Sequence, residues 1–260
     1  MFPRGGTYSS SNFFNPSVNI VSYYFKESYM NSDGRDVVYD DRRWRLLRSL
    51  RLKCLSLMEV LWNRNIDAIV HGSMARGDVS ARSDVDVFIP SMMQPYMIEL
   101  ALRDGGIEVQ KRYIVQATPF YAVKGCIEID DRTTVSFPLS KFTDTELDFY
   151  RFGGSLTLEA LKKDLRVPGV SKKLMLVEPT AEGHVETHVV GRESFVAKRL
   201  NVGLAIVKER VRTLLRRKKI GRTGVFIKRD LMKDEDFGSA LRNLIREKPP
   251  LRRRVNYVSP

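Results

Sequence analysis

Two aspartates separated by one residue, Asp84 and Asp86, are the side chains of this sequence best suited to chemistry. The segment Val85 to Ile89 has the composition of a strand, and alternate residues of a strand project to the same face. Two carboxylates held side by side repel each other unless a cation lies between them, and oxygen ligands of this kind suit Mg²⁺. The pair therefore favours a divalent metal site, although two aspartates on the solvent face of an edge strand would give the same pattern.

A glycine and a serine precede these aspartates in the chain. Gly72 and Ser73 follow directly on a predicted strand, Ala68 to Val70, and precede a segment that can begin a helix. Backbone N–H groups and the Ser73 hydroxyl could bind a phosphate there, and glycine at position 72 would let the phosphate approach without a Cβ in the way. Arg76 could neutralise phosphate charge or, alternatively, form an ion pair with a nearby aspartate.

The two features together follow a known pattern. Within Val70 to Ile89, the arrangement Gly-Ser-x-Ala-Arg-Gly, then Ser-Asp-x-Asp and apolar residues, resembles the signature of the polymerase-β nucleotidyltransferase superfamily. The resemblance is closest to the minimal nucleotidyltransferases and to the catalytic core of archaeal CCA-adding enzymes. It implies an α+β fold with a small mixed sheet and helices on one side. It also implies a nucleoside triphosphate substrate, two Mg²⁺ or Mn²⁺ ions, and in-line attack of a hydroxyl on the α-phosphate with loss of pyrophosphate.

The resemblance also implies roles for individual residues. Gly72 and Ser73 would hold the triphosphate, with Arg76 as a further candidate for contact with phosphate. Asp84 and Asp86 would bind both metal ions and would be catalytic.

The superfamily uses a third acid on a neighbouring strand, and its position here is open. The segment Lys124 to Asp130 resembles the strand that carries it in archaeal CCA-adding enzymes, which places the third catalytic and metal-binding acid at Asp130, with Glu128 as the alternative. The sequence then departs from the pattern, because Asp131-Arg132-Thr133 looks like a turn. If the acid-bearing strand is instead Thr134 to Phe137, it carries no carboxylate and the site would be catalytically impaired.

Basic residues are concentrated at the C-terminal end of the chain. The formal net charge is +13; from Arg192 onwards there are 20 Lys or Arg and 7 Asp or Glu, whereas residues 1–191 hold 24 of each sign. A basic surface confined to one module suits binding to a phosphate backbone. A solvated basic tail would have the same composition.

The basic segment has the pattern of a helix-turn-helix. Residues 194–200 and 205–219 are predicted helices joined by a turn at Gly203, and Gly221 to Ile227 resembles the turn and strand of a wing. In a winged helix-turn-helix the second helix enters a groove of the nucleic acid. The pattern predicts a nucleic-acid partner, RNA more than DNA, bound by Lys208, Arg212, Arg216, Arg217, Lys219 and Arg222. A winged helix used only for protein contact is the alternative.

The remaining elements complete an α+β outline. A long amphipathic helix is predicted from Asp40 to Asn63 and a shorter one from Tyr96 to Arg103, with further extended segments at 107–115, 121–129 and 134–137. We divide the chain into a mobile arm (1–17), a nucleotidyltransferase domain (18–143), a connector of unclear role (144–191), a winged helix-turn-helix (192–246) and a basic tail (247–260).

Composition narrows the class of protein. With 43% hydrophobic and 29% charged residues, no apolar run near the ~20 residues of a membrane span and no signal-peptide core, the sequence predicts a cytoplasmic protein without a membrane partner. Cys54 and Cys126 are too few for a disulfide framework or a cysteine zinc site, and we expect both to be buried thiols.

Three functions follow from these patterns. The first is transfer of a nucleotide to a nucleic-acid hydroxyl held by the basic module, and the second is transfer to a protein side chain. The third is a nucleic-acid-binding regulator whose transferase fold has lost its third acid.

Overall fold

A computed structural model describes residues 34–221 and 223–255 of the chain. The predicted arm, Arg222 and the last five residues of the predicted basic tail lie outside these described residues. The described part forms an α+β fold with two separate sheets.

The strands are distributed along the whole described chain. They are β1 (Arg35–Val38), β2 (Ile69–His71), β3 (Val85–Phe88), β4 (Lys111–Gln116), β5 (Lys124–Asp130), β6 (Thr133–Pro138), β7 (Ser155–Thr157), β8 (Gly169–Val170), β9 (Met175–Pro179), β10 (Gly183–His188) and β11 (Ile227–Asp230). The helices are α1 (Asp41–Trp62), α2 (Ser73–Arg76), α3 (Pro95–Asp104), α4 (Asp144–Phe152), α5 (Leu158–Lys162), α6 (Glu193–Leu200), α7 (Leu204–Ile220), α8 (Phe237–Glu247) and α9 (Arg252–Val255), with a 3₁₀ turn at Pro249–Leu251.

The predicted long helix is confirmed as α1. Its first turn is capped by Asp40, whose carboxylate accepts a hydrogen bond from the Arg43 N–H at 2.8 Å. Its apolar stripe packs on one face of the main sheet, where Val85 and Val87 of β3 point. The buried residues of the helix are Leu47, Arg51, Cys54, Leu57, Met58 and Leu61.

The main sheet has the strand order β11-β4-β5-β6-β3-β2-β7. Only β3 and β6 pair in parallel within it, and the other described pairs are antiparallel. The predicted strands at 68–70, 85–89, 121–129 and 134–137 are confirmed, and all of them lie in the interior of this sheet. The predicted short helix is confirmed as α3. The sheet also takes in β7 and β11, which come from segments beyond residue 143.

The second sheet has the order β1-β10-β9-β8 and is built mostly from the segment we expected to be a connector. Helices α6 and α7 pack against it and against α4, around a core that includes Phe152, Leu176, Val196 and Val207. Residues 144–191 therefore form three strands of one sheet, one strand of the other and two helices.

The predicted helix-turn-helix is present as α6 and α7, but its turn differs from the expectation. Asn201 adopts the left-handed conformation at φ 50° and ends α6, whereas Gly203 has φ −61° and lies just before α7. Asparagine tolerates this conformation better than most residues, which explains why the turn does not need glycine.

The predicted wing is not confirmed. β11 begins at Ile227, and it pairs with β4 at the edge of the main sheet through Ile227 with Gln116 and Asp230 with Tyr113. A strand that completes a larger sheet buries more apolar surface than a short hairpin left at the side of two helices. α8 also packs on the main sheet: Phe237 contacts Phe137 of β6 edge-on, with ring centroids 5.1 Å apart.

The basic last quarter of the chain is thus divided between two cores rather than forming one module.

Both cysteines are buried free thiols, as expected. Among the described helices, none is both long enough and apolar enough to cross a membrane.

Candidate active site

The turn after β2 has the geometry expected of a phosphate-binding turn. Gly72 lies at φ 72° and ψ −138°, a conformation that residues with a side chain avoid, and a Cβ added to it would meet nothing within 4 Å. Its own N–H donates to the Gly154 carbonyl at 2.9 Å. The N–H groups of Ser73 and Met74 open α2, and the described residues offer neither of them an acceptor.

Asp84 and Asp86 lie on the next strand of the sheet. Asp84 is exposed immediately before β3, and Asp86 is half-buried within it. β2 and β3 pair antiparallel through Val70 and Val87, so the next position in this register places His71 beside Asp86. Burial raises the pKa of the Asp86 carboxyl, and the positive charges of two lysines oppose that rise. An aspartate held partly out of water is a frequent feature of functional sites.

A hydrogen bond links the turn to the loop that carries Asp84 and leads into β3. The Ser73 hydroxyl lies 3.3 Å from the Ser83 hydroxyl, and Ser83 also accepts a hydrogen bond from the Ser80 N–H at 2.9 Å. The structure therefore brings Gly72 and Ser73 close to Asp84, although ten residues lie between Ser73 and Asp84 in the chain.

Two buried arginines hold the turn in place. Arg51 of α1 donates to the Met74 carbonyl at 3.0 and 2.9 Å and to the Ala75 carbonyl at 3.3 Å, and it pairs with Asp164 at 2.7 Å. Arg76 donates to the Gly153 carbonyl at 2.6 Å and pairs with Asp78 at 2.9 Å. The sequence allows Arg76 to be either a phosphate-binding residue or the partner of a nearby aspartate. These contacts match the second role, and the side chain of Arg76 is only 6% exposed.

Three residues that the sequence did not single out face Asp86. Lys124 of β5 and Lys172 in the loop after β8 both act electrostatically on the Asp86 carboxyl. Tyr150 of α4 stacks on Phe88 at 3.8 Å, and its hydroxyl lies close enough to Lys124 to raise the pKa of that ammonium. Alternate residues of a strand share a face, so Lys124 could have been identified as lying on the same face of β5 as Glu128. Nothing near Tyr150 or Lys172 in sequence indicates this position.

His71 packs as a neutral ring beside Asp86. Its ring meets Tyr150 edge-on, with centroids 5.0 Å apart. Burial, with the nearby charges of Lys124, Arg76 and Lys172, lowers the His71 pKa to about 3, so the ring stays neutral at ordinary pH.

The two candidates for the third acid lie on different sides of the sheet. Glu128 pairs with Thr134, and Thr134 pairs with Asp86, so these three residues form one row across β5, β6 and β3 and share a face. A bulge between Glu128 and Asp130 then changes the register of β5. It turns Asp130 towards α1, where its carboxylate pairs with Lys53 at 2.5 Å.

The structure therefore does not bring Asp130 to Asp86, and the bulge is the physical reason. Asp130 instead lines a cavity of about 350 Å³ on the α1 side of the sheet, with Lys53 and Arg132. The strand directly beside β3 is β6, which presents Thr134 rather than a carboxylate opposite Asp86. Glu128 is the nearer acid, one strand further along the same face.

The comparisons with known proteins agree with this geometry over one segment. Residues 52–125 match the family model of the nucleotidyltransferase domain. The matched nucleotidyltransferase segment is less than a third of the chain, and it contains the glycine-serine turn, both aspartates and Lys124. It ends before both candidates for the third acid. No curated protein and no solved structure matched the chain. The match supports nucleotidyl transfer as the general activity and a nucleoside triphosphate as the substrate.

The aspartate pair fits a magnesium ion by its chemistry. Mg²⁺ usually takes one or two carboxylates together with phosphate oxygens of the substrate, and here two carboxylates lie beside a turn with open space around Gly72. Within residues 34–221 and 223–255, no cluster of three or more His, Cys, Asp or Glu side chains could hold a metal ion unaided. Triphosphate oxygens and water would supply further ligands.

The backbone behind the turn is closely packed, which makes one glycine a test of the whole arrangement. A Cβ on Gly169 would lie 2.5 Å from the Gly154 nitrogen and 2.6 Å from the Gly153 carbonyl carbon, and Gly154 is the partner of Gly72. We expect Gly169→Ala to lower the free energy of unfolding by about 1–3 kcal/mol because backbone must move. We also expect it to weaken binding of nucleoside triphosphate, because the partner of Gly72 moves.

Chemical denaturation and equilibrium nucleotide binding are the measurements, and Gly153→Ala is the matched control. Gly153 has φ −74°, and its added Cβ would meet only ordinary contacts at 3.6 Å. If both alanines behaved alike, the packing of β8 against residues 153–154 would not govern the turn.

Proposed function

We propose that this protein is a metal-dependent nucleotidyltransferase that moves a nucleoside monophosphate from a nucleoside triphosphate to a hydroxyl of a nucleic acid, RNA in preference to DNA. The observation that supports the proposal most directly is the placement of the Gly72–Ser73 turn beside the Asp84 and Asp86 pair. The nucleotidyltransferase match covers the same residues.

In this proposal each part of the site has a definite task. The free N–H groups of Ser73 and Met74 bind phosphate oxygens, and Asp84 and Asp86 hold Mg²⁺ or Mn²⁺. The bound metal would supply charge neutralisation and activation of the attacking hydroxyl. Lys124 and Lys172 add positive charge on the face where the triphosphate carries negative charge.

The third acid is assigned to Glu128 rather than to Asp130 in this proposal. Glu128 lies in the same row as Asp86, about 10 Å away across two strand spacings, which a side chain and a bound ion together can span. Asp130 is the weaker candidate in this proposal, because its carboxylate pairs with Lys53 on the α1 side of the sheet.

The acceptor is assigned to nucleic acid because of α7. Lys208, Arg212, Arg216, Arg217 and Lys219 are all exposed, and no described acidic side chain forms an ion pair with any of them. α7 is also docked on the helix that carries Tyr150: the Gly203 N–H donates to Asp148 of α4 at 2.9 Å, and Arg210 stacks over Phe149 at 4.9 Å. An acceptor bound to α7 would therefore be held next to the site.

The proposal is tested by incubating the pure protein with each labelled nucleoside triphosphate, Mg²⁺ or Mn²⁺, and separate pools of RNA and DNA oligomers. Label that enters an oligomer supports the proposal. Label that enters only the protein itself indicates the protein-modifying alternative. Triphosphate binding with no incorporation into either contradicts the enzyme and supports a regulator.

One observation favours that regulator as a second candidate. Thr134 occupies the position opposite Asp86 on the strand adjacent to β3, where the superfamily resemblance leads us to look for a carboxylate. A site that binds nucleotide and metal but lacks the acid that activates the hydroxyl would sense nucleotide rather than transfer it.

The basic face of α7 gives a separate prediction. Reversing the charge of Arg216 and Arg217 together, to glutamate, should weaken oligomer binding and reduce the slope of log affinity against log salt by about 2, because each lost phosphate contact removes about one unit. Fluorescence anisotropy over a series of salt concentrations measures the slope.

The matched control carries the same change of net charge at another exposed helix surface. Arg45 and Arg48 are exposed on α1, and their reversal to glutamate should leave the slope close to that of the wild type. Equal slopes in the two double variants would show that net charge, not contact with α7, governs binding.

A further inference from the structure

The side chain of Phe120 is exposed to solvent on a turn that hydrogen bonds hold in place. Phe120 is 80% exposed, in the loop between β4 and β5. The loop is fixed around it: the Tyr121 N–H donates to the Thr118 carbonyl at 3.1 Å, and the fully buried Gln116 amide donates to the Tyr121 carbonyl at 2.8 Å. Burying a phenylalanine side chain gains about 1.5–3 kcal/mol, so its exposure on a fixed turn gives no stability to the fold.

The turn lies between α7 and the segment that leads into β11. On one side burial and the nearby Glu209 carboxylate of α7 raise the pKa of the Tyr121 hydroxyl, so Tyr121 lies against that helix. On the other side the Phe226 N–H donates to the Ala117 carbonyl at 3.1 Å, and the neighbouring Val225 is 48% exposed. Phe120 is therefore part of one surface with α7, not an isolated exposed residue.

The last residues of α7 begin at Leu215, about 9 Å along the helix axis from Glu209, and they extend beyond the core that the first half of the helix covers. All six residues from Leu215 to Ile220 are exposed, including the two apolar ones, at 43% for Leu215 and 54% for Ile220. Four consecutive cations, residues 216–219, lie between these two, and none has an ion-pair partner among the described side chains. The surface thus combines an exposed aromatic ring with a dense positive charge.

We propose that Phe120 and the last six residues of α7 bind single-stranded nucleic acid, with a base stacked on the Phe120 ring and the backbone phosphates along the cations. This combination of an aromatic platform with a basic track is what sequence-tolerant binding of single strands requires. A duplex would not use the ring, since its bases are paired and stacked on each other, whereas an unpaired base offers its face.

The surface leads towards the candidate active site. Lys124 follows Phe120 by four residues, which span at most about 13 Å of chain. From Lys124, Asp86 lies two strands across and four residues along the same face of the sheet, about 16 Å between Cα positions. The inference rests on the proposed function for the role of the bound strand as acceptor, but binding itself does not depend on transfer.

The experiment measures binding of a short fluorescent RNA single strand, its DNA counterpart and a duplex of the same length to the full chain by anisotropy, without triphosphate or metal. We expect Phe120→Ala to weaken binding of the single strands by about 5- to 100-fold and to leave duplex binding unchanged. Tyr96→Ala is the control: Tyr96 is 63% exposed on α3, away from this surface, and its loss should change nothing.

Two further substitutions separate stacking from simple apolar contact. Phe120→Trp should keep or strengthen single-strand binding, and Phe120→Leu should weaken it as much as alanine does. If the Phe120→Leu and Phe120→Trp variants bound single strands equally well, the stacking role would be overturned, and an apolar docking site for a protein would be indicated. Unchanged single-strand binding in Phe120→Ala would also overturn the inference.

The outcome can be distinguished from failure of the proposed function. Phe120-dependent binding without nucleotide incorporation would leave the inference standing and overturn the enzyme. Incorporation into an oligomer that Phe120→Ala leaves unchanged would support the enzyme and overturn the role of the strand bound at Phe120 as acceptor.

Discussion

Asp86→Asn is expected to lower the rate of nucleotide incorporation by at least about 100-fold, since loss of even an outer partner of a metal ligand costs about 10- to 100-fold. The substitution keeps the size of the side chain and removes the charge that would hold the cation beside the Gly72–Ser73 turn. Single-turnover incorporation of labelled nucleotide measures the effect.

The same substitution should not harm the fold. Burial raises the pKa of Asp86, which means that the folded protein bears a cost for the charged carboxyl. The neutral amide removes this cost, so without divalent ions Asp86→Asn should unfold at the wild-type temperature or slightly above it. Loss of activity with retained or raised stability identifies a functional residue, whereas loss of both would identify a structural one.

Asp67→Asn is the matched control for this prediction. Asp67 is exposed in the loop before β2, outside the site, and the same chemical change there should leave incorporation close to wild type. If Asp67→Asn and Asp86→Asn reduced incorporation equally, Asp86 would have no special role in the reaction.

Arg51→Met is expected to lower the free energy of unfolding by about 2–5 kcal/mol, because it leaves buried carbonyl acceptors without a donor. Three of the four contacts of Arg51 go to the carbonyls of Met74 and Ala75, at the back of the turn, and its side chain is only 4% exposed. Methionine fills similar volume but donates no hydrogen bond. Denaturant unfolding measures the loss, and triphosphate binding should weaken in parallel because the turn loses its support.

Two control substitutions identify which contact matters. Asp164→Ala removes only the ion-pair partner, whose side chain is 79% exposed, and should cost no more than about 1 kcal/mol. Arg48→Met changes an exposed arginine of the same helix and should have little effect. If Asp164→Ala cost as much as Arg51→Met, the ion pair rather than the carbonyl bonds would stabilise the turn.

Features determined by local signals were predictable from the sequence. The amphipathic spacing and the Asp40 cap predicted α1 to within a residue at its start, and the strands that carry Gly72 and Asp86 were predicted from their composition and flanking turns. The motif joining the turn and the aspartate pair was also visible, because its residues lie within one short segment. The nucleotidyltransferase match falls on that segment.

Features determined by contacts between distant segments were not predictable. β11 pairs with β4 more than a hundred residues earlier, which removed the predicted wing, and a bulge that depends on the pairing of β5 with β6 turned Asp130 away from Asp86. The presence of Tyr150 above the site depends on how α4 packs on Phe88.

The sequence by itself therefore determined which residues could bind phosphate and a divalent cation, because their types, spacing and flanking elements are encoded within one stretch of chain. Only the tertiary structure decided which other residues join them, because a strand's register and its neighbours are chosen by the total apolar surface buried and hydrogen bonds made across the fold. That choice brought Lys124, Tyr150 and Lys172 to the face of Asp86, and it placed Phe120 in solvent beside α7.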